Sequence, residues 1–323
     1  MMKSKLLRFT DIYKETIWGG QKILPFKGLP GDGRSIGESW EISGVPGDES
    51  IVADGEYRGL TLTELLEQEK SALVGEENYR RYGNKFPLLV KFIDACQPLS
   101  VQVHPNDELA MAHHGSMGKT EMWYIVDCDE NATLYDGFNR DITEAEYVKR
   151  VEEQTLPEVL QCYNVSKGDV FYLPAGRVHS IGKGCFICEI QQSSDLTYRI
   201  YDFGRLDANG RPRQLHIEQA KEAIDFSYSD NGETPKVVLN EPSTLVEAPY
   251  FTTGLYRLTE PMSCDYSELD SFVILICTSG SCRVICKDEE VILNAGHSLL
   301  VAAEAEGVML LPDGKCDILE TYV

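Results

Sequence analysis

The sequence predicts a mainly β fold, made of two copies of one β-barrel module with a few short helices. Three observations predict it. Short apolar or alternating runs recur between Gly, Pro and Asp turns from residue 86 onward, the pattern of a sandwich or barrel. Residues 235–323 are almost wholly of this kind. A faint internal repeat lays Ser166–Ala175 over Asn294–Ala303, each a turn glycine, a polar residue and an apolar strand, and sets Met122–Val126 beside Phe272–Ile276.

The elements follow in chain order. Residues 1–60 are rich in Gly and turns (Trp18-Gly19-Gly20, Pro30-Gly31-Asp32-Gly33), with strands such as Ser39–Ser43 between them. Residues 61–83 read as one helix, opened by the capping-box pattern Thr61-x-x-Glu64, with Leu62, Leu65, Leu66 and Leu73 near helical spacing. Phe86–Ile93 is a strand apolar almost throughout, and Leu99–His104 alternates with period two. Glu121–Val126, Phe171–Leu173 and Cys185–Gln191 are further strands, and residues 141–153 and 214–224 are short helices. The pair His113-His114 reads as loop. The chain divides into an N-terminal module, residues 1–235, and a C-terminal module, residues 236–323.

Charge narrows the range of partners. Against 52 acidic residues stand 30 Lys+Arg, a formal charge of −22. Such a surface repels nucleic acid and anionic lipid, so neither is an expected partner. An anionic small substrate would need its own cluster of cations. No apolar run approaches the roughly 20 residues of a spanning helix, and Met1–Phe9 is not a secretory signal. The ten cysteines are scattered, mostly in apolar runs, and read as free thiols of a cytoplasmic protein. Cys185-x-x-Cys188 resembles a redox or zinc motif, but on a strand its two side chains point to opposite faces.

The densest chemical signal is Pro98-Leu-Ser-Val-Gln-Val-His-Pro-Asn-Asp107. Gln102 and His104 fall on one face of a strand, with Val101 and Val103 on the other. Glu121 opens an apolar strand, and His179 follows Pro174-Ala-Gly-Arg-Val178. Taken singly, His179 reads as a surface or internally satisfied histidine and Glu121 as solvated. Together, two imidazoles, an amide and a carboxylate inside a barrel would be costly to bury without a cation. That donor set suits Zn²⁺, with Fe²⁺ and Mn²⁺ as alternatives. Lys119 shares the face of Glu121, Lys91 lies on the strand before Gln102, and Arg199 and Arg205 follow Glu189–Gln192. Near a metal these cations would form a local anion trap.

At these residues the sequence resembles the type I, zinc-dependent cupin family of mannose-6-phosphate isomerases (phosphomannose isomerases), in its short bacterial form. The resemblance is carried by the long run ending at Asp107, by Gly118-Lys-Thr-Glu-Met-Trp-Tyr124, by Pro174–His179, by Ser194-Asp-Leu-Thr-Tyr-Arg199, and by the opening Trp18-Gly19-Gly20 and Gly37–Trp40. It implies two cupin (jelly-roll β-barrel) domains and interconversion of D-mannose 6-phosphate and D-fructose 6-phosphate through a cis-enediol. It implies one Zn²⁺ per chain on Gln102, His104, Glu121 and His179, with Lys119 and Arg199 as active-site cations. Lys91 and Ser100 match substrate-pocket positions, Arg205 stands where the larger members carry a lysine, and Glu189 is a further substrate-binding candidate. Lys119, Glu189 and a metal-held hydroxide are each candidates for the base, Lys119 first. The second domain is expected to lack metal, since the repeat sets Gly307 opposite His179. The competing readings are another metal-dependent cupin, such as an Fe²⁺ dioxygenase, and a non-catalytic sugar-binding cupin. The oligomeric state is not readable from the sequence.

Overall fold

The structure is a computed structural model that describes residues 2–206, 210–230 and 234–323. It contains two antiparallel β-sandwiches of the jelly-roll, cupin type. In the first, a sheet runs Ile12–Gly20, Ile36–Ser43, Leu88–Asp94, Cys185–Gln192, Glu121–Cys128, Val170–Leu173. It faces a sheet of Tyr198–Tyr201, Val101–Val103, His179–Ile181, Thr133–Phe138 and Leu160–Asn164. In the second, Ser298–Val301, Val273–Ser279, Cys316–Tyr322, Thr252–Leu258 and Ser243–Glu247 face Met262–Asp265, Gly307–Pro312, Ser281–Cys286 and Glu289–Asn294. The N-terminal strand Leu6–Leu7 crosses over and adds to the edge of this second sandwich beside Ser298–Val301.

The repeat read from sequence is a repeat of strand order. Glu121–Cys128 lies between Cys185–Gln192 and Val170–Leu173, as Val273–Ser279 lies between Cys316–Tyr322 and Ser298–Val301. His179 begins its strand opposite Gln102, and Gly307 begins its strand opposite Asp265. Glu121 faces Leu173, and the corresponding Val301 faces Val273. The second module therefore has glycine and valine where the first has His179 and Glu121. The overlay of Met122 on Phe272 is two residues out of this register, because short apolar strands carry no internal mark of phase.

The helical expectations needed correction at two places. Residues 61–83 form three short helices, Leu62–Glu69, Ser71–Val74 and Glu76–Tyr82. The breaks fall at Lys70 (φ 53°) and Gly75 (φ 92°), left-handed positions that no helix continues through. The capping box is present, with Thr61 and Glu64 each bonding the other's backbone N–H. Thr61→Ala should cost about 1 kcal/mol of stability, read by urea denaturation. An unchanged midpoint would mean that the buried Leu62, Leu65 and Leu66 alone hold this helix. The second correction is His113-His114, which ends a helix, Asp107–His114, rather than lying in a loop. Asn106 caps its N-terminus and Gly115 closes it in the left-handed conformation.

Val101 and Val103 pack outward against Tyr147, Ala220 and Ile224 of the surrounding helices and loops, so Gln102 turns into the sandwich. All ten cysteines are unpaired, and seven are buried. No helix among the described residues is long and apolar enough to cross a membrane.

Candidate metal centre and cationic pocket

Strand register assembles the site. On the larger sheet Trp40, Lys91, Glu189, Trp123 and Phe171 form one cross-strand row, and Leu89, Gln191, Glu121 and Leu173 form the next on the same inner face. From the smaller sheet, Gln102 lies between Arg199 and His179. His104 joins them from the end of its strand. The ligand atoms of His104, Glu121 and His179 all lie within 4.8 Å of one another, and all three residues are buried.

Backbone carbonyls fix both imidazoles. Nδ1 of His104 donates to Leu196 O at 2.8 Å, and Nδ1 of His179 donates to Arg177 O at 2.8 Å. Each ring therefore presents the lone pair of Nε2 to the centre, the arrangement that orients histidine ligands. These nitrogens stand 3.5 Å and 3.3 Å from the two oxygens of Glu121. Burial, with the Lys119 charge, lowers the His179 imidazole to about 3 and the His104 imidazole well below its ordinary value. Both are neutral at physiological pH, as ligation requires. The Gln102 amide end lies 3.3 Å from His179 Nε2. A half-turn of the amide presents Oε1 at the same place.

The donor chemistry fits a divalent cation. Neither oxygen of the fully buried Glu121 accepts a hydrogen bond of ordinary geometry, and the buried Oε1 of Gln191 beside it is also unpartnered. Burial pushes the Glu121 carboxyl up to about 7 against the pull of Lys119. The set already draws one cation: Lys119 Nζ lies 2.9 Å from Glu121 Oε2 and 3.1 Å from His104 Nε2. An ion of charge +2 answers the same unmet demand with more contacts. Trp123 packs edge-on against His179, with centroids 5.3 Å apart, and excludes water from that side.

Beside this centre is a cavity of about 260 Å³ between the sheets. Gln102, Lys119, Lys91, Ser100, Glu189 and Arg199 all line it. Lys91 Nζ lies 3.1 Å from Glu189 Oε2 and 3.6 Å from Glu38 Oε2. Trp123 Nε1 donates to Glu189 Oε1 at 2.9 Å. Burial alone would raise the Glu189 carboxyl, but Lys91, Lys119 and the indole hold it at about 2. It is an anion with little affinity for a proton. Arg199 Nε donates to Ser100 Oγ at 3.3 Å and Nη1 to Gln214 O at 2.9 Å.

Arg205 does not line the cavity. Its guanidinium bonds Pro98 O and Asp202 instead. Arg213, which the sequence reading missed, lines the cavity. A larger hollow of about 460 Å³ elsewhere is rimmed by Glu76, Glu268, Asp270, Glu304 and Glu306 and, among the described residues, by no cation. It is unsuited to an anion.

Fold and site together define a double cupin with, among the described residues, one metal-compatible centre, beside a cavity that Lys91, Lys119, Arg199 and Arg213 line. Comparison with known proteins agrees. The model of the phosphomannose isomerase type I catalytic domain matches residues 6–129. Mannose-6-phosphate isomerase ManA of Bacillus subtilis is 37% identical over 93% of this chain and 94% of its own. A crystal structure of the mannose 6-phosphate isomerase from Bacillus subtilis superposes with a TM-score of 0.89 at 31% identity, covering 99% of this chain and 100% of that one. A zinc-bound mannose 6-phosphate isomerase shares the fold, with a TM-score of 0.79 at 16% identity over 99% of each chain. The chain belongs to the type I mannose-6-phosphate isomerase family.

Proposed function

We propose that this protein interconverts D-mannose 6-phosphate and D-fructose 6-phosphate in the cavity of its N-terminal module, residues 1–235, with residues 236–323 as a metal-free companion. The observation that carries the reading is the convergence of the His104–Glu121–His179 group with Lys91, Lys119 and Arg199 on one cavity. In a chain of charge −22, cations gathered beside a metal-compatible centre are what a small anionic substrate needs. Membership of the family supplies the reaction.

Zinc is the metal proposed, held by Gln102, His104, Glu121 and His179. When bound, it would supply Lewis acidity that polarises the substrate carbonyl. The chain's own residues do the rest. Lys119 Nζ, beside Glu121 and His104, is placed to carry the proton between C1 and C2. Glu189 is held anionic by Lys91 and Trp123 and serves as a brace that fixes Lys91 in the cavity wall, not as the base. Arg199, tied to Ser100, brings fixed positive charge to the face opposite the lysines, where it can hold the anionic substrate. The unpaired cysteines support a reducing, cytoplasmic setting.

The test is elemental analysis of the purified protein together with an isomerisation assay. About one metal ion per chain is expected, with isomerisation lost on chelation and restored by Zn²⁺. A fully metallated protein that leaves mannose 6-phosphate unchanged overturns the reading.

A further inference from the structure

We propose that Arg213, acting with Arg199, is the phosphate-binding residue of this cavity, and that Arg205 only positions it. The inference rests on the sugar-phosphate reading above and names the side chains that recognise the dianion.

Three guanidiniums gather here around one carboxylate. Arg213 Nε donates to Asp202 Oδ2 at 2.7 Å, and Nη2 to Oδ1. Arg205 bonds the same Oδ1. Arg199 makes no ion pair among the described residues. Among the described residues, three guanidiniums therefore share one buried carboxylate, which leaves positive charge for a phosphate monoester to meet. The lysines sit elsewhere in the cavity, Lys91 held by Glu189 and Glu38 and Lys119 at the metal centre beside Glu121 and His104. Asp195 lines the same cavity but is exposed and solvated.

Geometry separates the two arginines. The side-on contact of Arg213 with Asp202 uses Nε and Nη2 and turns Nη1 away from that carboxylate, free to reach the cavity that Arg213 lines. Arg205 spends its nitrogens on Pro98 O, Asp202 O and Asp202 Oδ1. An antiparallel bridge pairs Leu206 with Pro212, and Arg213, the next residue, meets Asp202. Burial and the charge of Arg213 lower the hold of Arg199 on its proton, so the two guanidiniums are close enough to repel. A dianion between them relieves that repulsion, and paired guanidiniums suit its planar, bidentate contacts.

The experiment measures binding of D-glucitol 6-phosphate and of D-glucitol, non-isomerisable polyols with and without the phosphate, by calorimetry on the metallated protein. Wild type should prefer the phosphorylated polyol. In Arg213→Gln that preference should fall about 30-fold or more, with metal content and glucitol binding unchanged, and Arg213→Lys should restore part of it. Arg205→Gln should lose less. In turnover, Arg213→Gln should raise KM for mannose 6-phosphate far more than it lowers kcat. If wild type isomerises mannose 6-phosphate and Arg213→Gln keeps its phosphate preference within about twofold, the assignment is overturned. Equal loss of glucitol and glucitol 6-phosphate binding also overturns it, since that marks a structural role. A wild type without isomerase activity would instead remove the functional reading beneath it.

Discussion

His104→Ala should leave the purified protein with far less than one metal ion per chain and lower kcat/KM for mannose 6-phosphate by about 10³-fold or more. The imidazole is held from behind by Leu196 O, and its Nε2 faces both Glu121 and Lys119. Truncation leaves one imidazole, one carboxylate and a neutral amide around the centre. Glu121 then keeps only Lys119 as a counter-charge at 2.9 Å, which favours the ammonium over an incoming metal. Elemental analysis and the isomerisation assay read the two effects separately. A variant with full metal content would remove His104 from the ligand set, whatever its activity.

Arg199→Ala should lower kcat/KM by about 10²-fold or more, near 2.7 kcal/mol of lost transition-state stabilisation. This guanidinium is the cation of the cavity whose charge no ion pair among the described residues offsets, and Ser100 and Gln214 fix its direction. Its loss should leave metal content unchanged, because none of its contacts reach His104, Glu121 or His179. Steady-state kinetics with a parallel metal analysis tests this. An unaltered rate would take Arg199 out of the site.

Much of the centre was legible because strands alternate. Period two placed Gln102 inward and its flanking valines outward, and the structure packs Val101 and Val103 against Tyr147 and Ala220 as that pattern requires. Glu121 at the head of an apolar strand and His179 after a Pro-Ala-Gly turn were visible for the same reason. The helix Asp107–His114 was also available to sequence reasoning. Asn106 and Gly115 are its cap signals, overshadowed by the motif that precedes them. The breaks at Lys70 and Gly75 were harder to see, since Leu73 keeps the apolar spacing across the first of them.

By itself, then, the sequence determined the fold class, the repeat, and the residue types that face inward at the centre, because these follow from local periodicity and turn chemistry. Only the tertiary structure decided which groups neutralise one another. The pairing of Lys91 with Glu189 depends on register between strands far apart in the chain, and on it rests the proposal that Glu189 braces Lys91. The proposed choice of Arg213 over Arg205 depends on a bridge from Leu206 to Pro212 and on the Asp202 that both guanidiniums share, pairings that no periodicity announces. Charge is additive along a sequence, but its local surplus is fixed by which charges meet in space. A chain of −22 overall can therefore hold a basic cavity that no count of its residues reveals.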